Sequence, residues 1–229
     1  MTLENHSNIA VLLMAAAVFL SMAVVGNAQT AYPDVPEKID AKAKYLFYFH
    51  GAIIETGGIR PTSPKYGVYE YEKIVETLKN EGFIVISEAR QGNVHAGRYA
   101  QKISLQVDKL LKAGVPASHI TVVGASKGGL IAILLSTILA NKEINYVLLA
   151  SCVEAALYRF DIALSGNILS IYDEKDEQVI SCQKFIDKSP EVANYKEIVL
   201  TLGTGHGFLY KPLKEWIDPT VKWANGKYK

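Results

Sequence analysis

The stretch that decides the fold is ITVVGASKG, residues 120–128. Its first four residues form an apolar run, and a second apolar run, LIAILL, follows at residues 130–135. Ser126 therefore stands between two glycines where a predicted strand gives way to a predicted helix. A turn this tight leaves no room for side chains two residues before and two residues after the serine, and its strain holds the hydroxyl above the sheet edge. The segment predicts a nucleophile elbow.

Ser126 also has a simpler interpretation. Serine is a favoured residue at the N-cap of a helix, so its side chain could do no more than start the helix that follows. A catalytic interpretation requires a base and an acid elsewhere in the chain. In this strand-turn-helix arrangement they follow the nucleophile in the order serine, acid, histidine.

The choice of histidine is forced by that order. Of the five histidines in the chain, only His206 lies after Ser126. It follows the β-rich run EIVLTL at residues 197–202 and stands in the loop GTGHG at residues 203–207. Glycines on both sides allow the ring to reach a hydroxyl, as a general base must. Taken alone, a histidine such as His206 is more often an ordinary surface loop residue.

The acid is expected between these two residues and after another strand. The run NILSIY at residues 167–172 leads directly into DEKDE at residues 173–177. This segment offers two aspartates, Asp173 and Asp176, and we predict Asp176 as the acid. The alternative for either side chain is a solvated surface charge.

From about Tyr45 onward the chain resembles the α/β-hydrolase superfamily, and within it the small capless bacterial esterases and dienelactone-hydrolase-like proteins. The resemblance rests on the serine elbow, the aspartate after a later strand and the final loop histidine. In such proteins the acid usually lies three residues beyond the residue that ends the strand and precedes a short hydrophobic contact. That layout implies Asp176 with Val179 as the contact, while Asp173 stands where glycine is common.

The resemblance also implies an oxyanion hole made of two backbone N–H groups. One belongs to the residue after the nucleophile, Lys127. The other comes from the loop after an earlier strand, here residues 45–49 (YLFYF), which ends in His50, Gly51 and Ala52. Ala52 would supply the second N–H group, and we expect His50 to be structural.

The order of the predicted elements gives the fold class. Helical spacing of apolar residues at 71–80, 99–111 and 211–224 alternates with strand-like runs, which predicts an α/β fold with a mostly parallel sheet and helices on both faces. This is the α/β-hydrolase arrangement. Only about sixteen residues separate the strand that ends near Ala150 from the next strand, so no large cap is expected.

Two arginines are candidates for substrate binding at the same sheet edge. Arg60 lies in the loop after Gly51, and Arg90 follows the predicted strand at residues 83–87. Either guanidinium could hold a carboxylate or phosphate of the substrate. The alternative is an internal salt bridge with Glu55 or Glu88.

Composition limits the function classes. The 24 Lys and Arg residues nearly balance the 23 Asp and Glu residues, so the chain has no electrostatic footprint for nucleic acid. We find no metal cluster, nucleotide-binding loop or cofactor motif, and the predicted chemistry requires no cofactor. Residues 29–229 are enough for one α/β-hydrolase domain with a sizeable core.

The N-terminal segment predicts export. Residues 9–25 form an apolar run interrupted only by Ser21, and small residues follow at 26–28. Residues 1–28 therefore predict a secretory signal peptide. Residues 1–8 contain Glu4 and no Lys or Arg, so an uncleaved membrane anchor is the alternative, and the membrane is a partner only in that case.

An exported protein can join its two cysteines in a disulfide. In the fold that the chain resembles, the strands before Cys152 and Cys182 are neighbours, so the loops after them can be bridged. We predict a disulfide, with two buried free thiols as the alternative.

The sequence thus predicts a secreted or periplasmic serine hydrolase for an ester or thioester of a small molecule. A peptidase of the same fold is the alternative enzyme, although it normally needs a capping domain. A catalytically silent binding protein that retains the fold is the alternative from another class.

The processing prediction can be tested directly. If residues 1–28 are a cleaved signal peptide, N-terminal sequencing of protein from its native compartment should begin near Gln29. A retained Met1 or Thr2 in a membrane fraction would instead establish the anchor.

Overall fold

A six-stranded parallel sheet forms the centre of the protein, for which the computed structural model describes residues 31–229. The strands are β1 (Tyr45–Phe49), β2 (Thr62–Ser63), β3 (Gly67–Val68), β4 (Ile84–Ile86), β5 (Ile120–Ala125), β6 (Asn145–Leu149), β7 (Ser165–Asp173) and β8 (Glu191–Leu200). Their order in the sheet is β4-β1-β5-β6-β7-β8, and every neighbouring pair is parallel. The short β2 and β3 form a separate antiparallel hairpin.

Seven α-helices and two short 3₁₀ helices accompany the strands in this part of the chain. The α-helices are α1 (Ile53–Gly57), α2 (Tyr71–Asn80), α3 (Ala96–Lys112), α4 (Lys127–Leu139), α5 (Glu154–Arg159), α6 (Gln183–Ile186) and α7 (Lys214–Ala224), and the 3₁₀ helices are Ala117–His119 and Gly205–Tyr210. One hydrophobic core joins α3, α4, α5 and α6 to one face of the sheet, and a second joins α2 and α7 to the other face. Because both faces are covered, β1, β5 and β6 are apolar at nearly every position and buried throughout.

The order of the strands creates a crevice at the carboxyl edge of the sheet. From β1 the chain moves outward to the edge strand β4 and then returns to β5 on the other side of β1. The loops after β1 and β5 therefore leave the sheet in opposite directions. Ligands of open parallel sheets bind at such a switch point, and Ala52 and Ser126 follow these two strands.

The predicted fold class is confirmed, and the differences lie in irregular or polar segments. β8 begins six residues before the predicted run because its first half, EVANYK, is a polar edge segment without a strand pattern. The hairpin of β2 and β3 was not predicted, because no pattern in the sequence indicates it. Between β6 and β7 the chain forms only α5, as expected for a fold without a large cap.

The predicted signal peptide, residues 1–28, lies outside the described residues. Within residues 31–229, no helix has the length and hydrophobicity needed to span a membrane.

The predicted disulfide is present. Cys152 follows β6 and Cys182 precedes α6, with Cα atoms 5.3 Å apart, and both side chains are buried. The backbone supports the bridge, since the Ile180 N–H donates a hydrogen bond to the Cys152 carbonyl oxygen at 2.8 Å. The bridge closes a loop of 30 residues in sequence separation.

Removing the bridge should destabilise the domain. In the chain-entropy model a loop of this length contributes about 3 to 4 kcal/mol, so the double variant Cys152→Ala/Cys182→Ala should lose that much free energy of unfolding in urea titrations. Alanine is chosen because a buried serine hydroxyl would add a cost of its own. Unreduced protein that yields two alkylatable thiols in a mass spectrum would contradict the bridge.

Candidate active site

Ser126 lies in a strained turn between β5 and α4. Its backbone φ is 53° and its ψ is −117°, a conformation that L-residues rarely adopt. The Ser126 N–H is fixed by a hydrogen bond of 2.9 Å to the Leu149 carbonyl oxygen at the end of β6. The Ser126 side chain makes no capping hydrogen bond to α4, although the residue occupies the N-cap position. The simpler interpretation, a serine that caps the helix, is therefore not what the structure shows.

The glycines around Ser126 are required by close backbone contacts. A Cβ atom at Gly124 would overlap the Gly128 carbonyl, and one at Gly128 would overlap the carbonyl of Phe49 at the end of β1. A Cβ atom at Gly129 would overlap the buried side chain of Ser151. The elbow therefore packs directly against the last residue of β1 and the loop after β6.

His206 and Asp176 form a hydrogen-bonded pair. The His206 ring Nδ1 lies 2.6 Å from Asp176 Oδ2, and the side chains are 13% and 1% exposed. Asp176 Oδ1 accepts a further hydrogen bond of 3.1 Å from the Gln178 N–H, which fixes the carboxylate. Within residues 31–229 the Ser126 hydroxyl and the His206 ring are not joined by a hydrogen bond. Such bonds are often long without substrate and tighten in the complex.

Asp173 makes a different set of contacts. Its fully buried carboxylate accepts hydrogen bonds from the N–H groups of Lys175, Leu202 and Gly205 at 2.9 to 3.0 Å. These donors belong to the loops that carry Asp176 and His206. Asp173 thus joins the two loops and directs its oxygens to the backbone, whereas Asp176 directs an oxygen to the imidazole.

The two amides expected to form an oxyanion hole stand at neighbouring helix starts. Lys127 is the first residue of α4, and Ala52 is the N-cap residue of α1. Amides at these positions have no partner inside the helix. Among residues 31–229, neither N–H donates a hydrogen bond, so both remain available.

Several solved structures resemble this architecture. An esterase from Pyrobaculum calidifontis is 20% identical over 83% of this chain and 78% of its own, with a TM-score of 0.54. An arylesterase is 17% identical over 85% of this chain and 79% of its own, with a TM-score of 0.56. SOBER1 of Arabidopsis thaliana is 11% identical over 82% of this chain and 100% of its own, with a TM-score of 0.55. No protein-family model and no curated protein matches the sequence. The chain has the α/β-hydrolase fold.

In this α/β-hydrolase fold, His50 is a structural residue at the end of β1. Its buried ring donates from Nδ1 to the Gly51 carbonyl oxygen at 2.8 Å and accepts the Arg90 N–H at Nε2, also at 2.8 Å. These two bonds require the neutral ring. Because the Gly51 oxygen and the Ala52 N–H belong to one trans peptide and point in opposite directions, the bond to His50 orients the Ala52 N–H away from the ring.

A buried ion network lies behind the two amides. Glu55 in α1 contacts Arg90 Nε at 3.1 Å and Lys127 Nζ at 2.6 Å, and it accepts the Val94 N–H at 3.1 Å. Lys127 Nζ also donates to Asn93 Oδ1 at 2.9 Å. The carboxylate thus links the loop after β1 to the elbow. The pair with Arg90 is the internal salt bridge that the sequence offered as the alternative, whereas the contact between Glu55 and Lys127 was not predicted.

Both arginine candidates for substrate binding form salt bridges with glutamates of the protein. Arg90 is fully buried, pairs with Glu55, donates to the His50 carbonyl oxygen and lies over the Tyr99 ring at 5.1 Å. The prediction that Arg90 binds substrate is therefore wrong, because the guanidinium is used inside the protein. Arg60 is 73% exposed and pairs with Glu72 at 2.5 Å, so its role as a substrate ligand stays a prediction.

The neutral His50 makes stability depend on pH. Burial, and next the charge of Arg90, lower the pKa of His50 from 6.5 to about 3. Between these values the unfolded state binds one proton more than the folded state, so the free energy of unfolding should fall by about 1.4 kcal/mol per pH unit as pH decreases. His50→Gln can keep both hydrogen bonds but cannot titrate. Urea unfolding between pH 6.5 and 4 should show a slope smaller by that amount in the variant, and parallel curves would contradict the assignment.

Proposed function

We propose that the protein is an exported serine hydrolase that cleaves a carboxylic ester or thioester of a small substrate through an acyl-enzyme on Ser126. The observation that carries the proposal is the hydrogen bond between His206 and Asp176, at the same sheet edge as a serine held in a strained elbow. Two of the similar structures are an esterase and an arylesterase, which supports an ester as the bond class.

Asp176 sets the protonation of the imidazole. A carboxylate has no proton to donate, so the His206 Nδ1 must carry the hydrogen in the 2.6 Å contact with Asp176. The lone pair of the neutral ring is then on Nε2, the nitrogen that can face the serine. The near-complete burial of Asp176 keeps this orientation fixed.

In the acylation step, His206 Nε2 takes the proton of the Ser126 hydroxyl while Oγ forms a bond to the acyl carbon. The electron pair of the carbonyl double bond moves onto its oxygen, and the N–H groups of Lys127 and Ala52 donate to that oxyanion. When the carbonyl re-forms, the bond to the alcohol oxygen or thiol sulfur breaks. The leaving group takes the proton from His206 and departs, and the acyl group stays on Ser126.

Deacylation repeats these steps with water. His206 takes a proton from the water molecule as its oxygen attacks the acyl carbon, and the bond between the acyl carbon and Ser126 Oγ then breaks. Oγ receives the proton from His206, and the carboxylic acid leaves. The net reaction consumes one water per ester and regenerates the enzyme, and no cofactor takes part in it.

The open rim favours esters over peptides. A peptidase of this fold normally carries a capping domain, and between β6 and β7 the chain forms only α5. A silent binding protein would share the fold, but it would not need a serine in a strained elbow at the same sheet edge as a hydrogen-bonded histidine and aspartate. We therefore rank the esterase first.

Export is part of the proposal. The Cys152–Cys182 bridge supports an oxidising compartment, because thiols of cytosolic proteins are kept reduced. The apolar run at residues 9–25 supports the same conclusion. We place the protein in the periplasm or outside the cell, with the membrane as a partner only if residues 1–28 are retained.

Substitution of the triad should abolish turnover. Ser126→Ala and His206→Ala should each lower kcat for phenyl acetate by about 10⁴- to 10⁶-fold, and the double variant should be about as slow as either, because the two residues act as one unit. Asp176→Asn should lower kcat by about 10³- to 10⁴-fold, since asparagine no longer fixes the tautomer of His206. Full activity of Ser126→Ala, or fluorophosphonate labelling of another residue, would overturn the assignment.

Asp173→Asn is the matched control, because it removes the same charge three residues away. Its three backbone contacts predict a lower free energy of unfolding and a far smaller loss of kcat per folded molecule than Asp176→Asn. An equal kcat loss in the two variants, with both folded, would contradict the choice of Asp176.

A further inference from the structure

A cavity of about 450 Å³ opens directly beside the His206 loop. Four of its lining residues flank the histidine, two on the N-terminal side and two on the C-terminal side: Gly203, Thr204, Gly207 and Phe208. The others are Lys65 and Tyr66 from the hairpin of β2 and β3, and Lys211 and Leu213 before α7. One wall of the cavity is therefore formed by the loop that carries the proposed general base.

The charged residues that line this cavity are both basic. Lys65 and Lys211 are exposed at its rim, and no lining residue is acidic. Within residues 31–229 neither ammonium group forms an ion pair, whereas Lys127, Lys102 and Lys184 each pair with a glutamate. Two lysines without an acidic partner on one concave surface favour an anion, and a low-dielectric wall strengthens that attraction.

Part of the cavity wall is aromatic. The Tyr66 ring packs against Gly207, where an added Cβ atom would lie 2.7 Å from Tyr66 Cδ1, and it contacts Tyr210 in a tilted arrangement with ring centroids 5.3 Å apart. Lys65 Nζ lies 5.1 Å from the centre of the Tyr66 ring. Phe208 supplies a second ring among the lining residues. An apolar wall below a basic rim suits an organic anion, in which a carbon framework separates the charge from the reacting group.

We propose that this cavity is a substrate subsite that binds a carboxylate or phosphate group on one part of the ester, with Lys65 and Lys211 as its ligands. The inference rests on the proposed function and names the substrate class, which is an anionic ester. Its location replaces the expectation for Arg90, whose guanidinium is buried in the ion network. The Thr204 hydroxyl at the same rim can add a hydrogen bond to the anion.

The test compares each anionic ester with a neutral partner. With the charge on the alcohol part, the pair is 4-carboxyphenyl acetate and its methyl ester, and 4-acetoxyphenyl phosphate tests phosphate in place of carboxylate. With the charge on the acyl part, the pair is phenyl hydrogen adipate and phenyl methyl adipate. The measured quantity is the kcat/KM ratio of anionic to neutral ester, because the ratio within each enzyme cancels general losses.

Lys65→Met and Lys211→Met should each lower this ratio by about tenfold for the preferred anionic ester, mainly through KM. The neutral esters should change by less than about twofold. Lys65→Arg should keep most of the preference. The control is Lys109→Met/Lys112→Met in the last turn of α3, at the opposite end of the sheet, which removes two exposed positive charges and should leave the ratio unchanged.

The ester series whose kcat/KM ratio falls in the lysine variants identifies the group that the cavity binds. A preference only for the phosphate ester assigns it to phosphate, and a preference in the adipate series assigns it to the acyl part. If wild-type protein hydrolyses the neutral esters and the lysine variants leave every ratio unchanged, the subsite is overturned while the proposed function stands.

A binding measurement separates the remaining outcomes. Ser126→Ala should bind 4-carboxyphenyl acetate in calorimetry about tenfold more tightly than Ser126→Ala/Lys65→Met, if the carboxylate is the bound group. If wild-type protein cleaves no ester, the proposed function fails, and lysine-dependent binding would then show an anion site without a substrate role. Equal binding in the two proteins, combined with unchanged kinetic ratios for phosphate and adipate esters, would overturn the subsite altogether.

Discussion

The contact on which the site depends is the backbone approach between the elbow and the end of β1. Gly128 lies so close to the Phe49 carbonyl that no side chain fits between them. This contact brings the first turn of α4 against the loop that begins at His50. It also places the Lys127 and Ala52 amides at the same crevice, where the strand order reverses. The strained φ of Ser126 is tolerated because the hydrogen bond to Leu149 and these glycine contacts fix the backbone on both sides.

Buried charges also connect the segments that surround this crevice. Glu55 lies between Arg90 and Lys127, with its side chain and that of Arg90 almost completely buried. A buried ion pair is weak evidence for stability, because desolvation offsets much of the attraction, but the loss of one partner leaves an uncompensated charge that costs about 3 to 5 kcal/mol. The network therefore acts as a constraint on geometry: α1, the loop after β4 and the elbow can move only together. His50 belongs to this constraint, since its neutral ring bridges the Gly51 carbonyl and the Arg90 amide.

The sequence sufficed for the features that depend on local patterns. Residues 120–128 carry the elbow in their glycines, the central strands are apolar on both faces, and the disulfide follows from the neighbouring strands of the fold. It could not decide between Asp173 and Asp176, because the hydrogen bonds that distinguish them come from residues 202–206, about thirty positions away. The same limit applies to Arg90, whose partner is 35 residues distant. The polar half of β8 and the hairpin of β2 and β3 lack a pattern of their own, since their conformation depends on what they pack against.

Under the proposed function, the short connection between β6 and β7 leaves recognition of the substrate to the loops at the carboxyl edge of the sheet. The loop of His206 would then serve both the chemistry and the recognition. Asp173 accepts the Gly205 N–H on one side of the histidine, and Tyr66 packs against Gly207 on the other. A group bound between Lys65 and Lys211 would thus contact the segment whose position sets the distance from the imidazole to Ser126. Binding energy gained at this cavity would then hold the ester in position beside the base, which lowers KM more than it raises kcat.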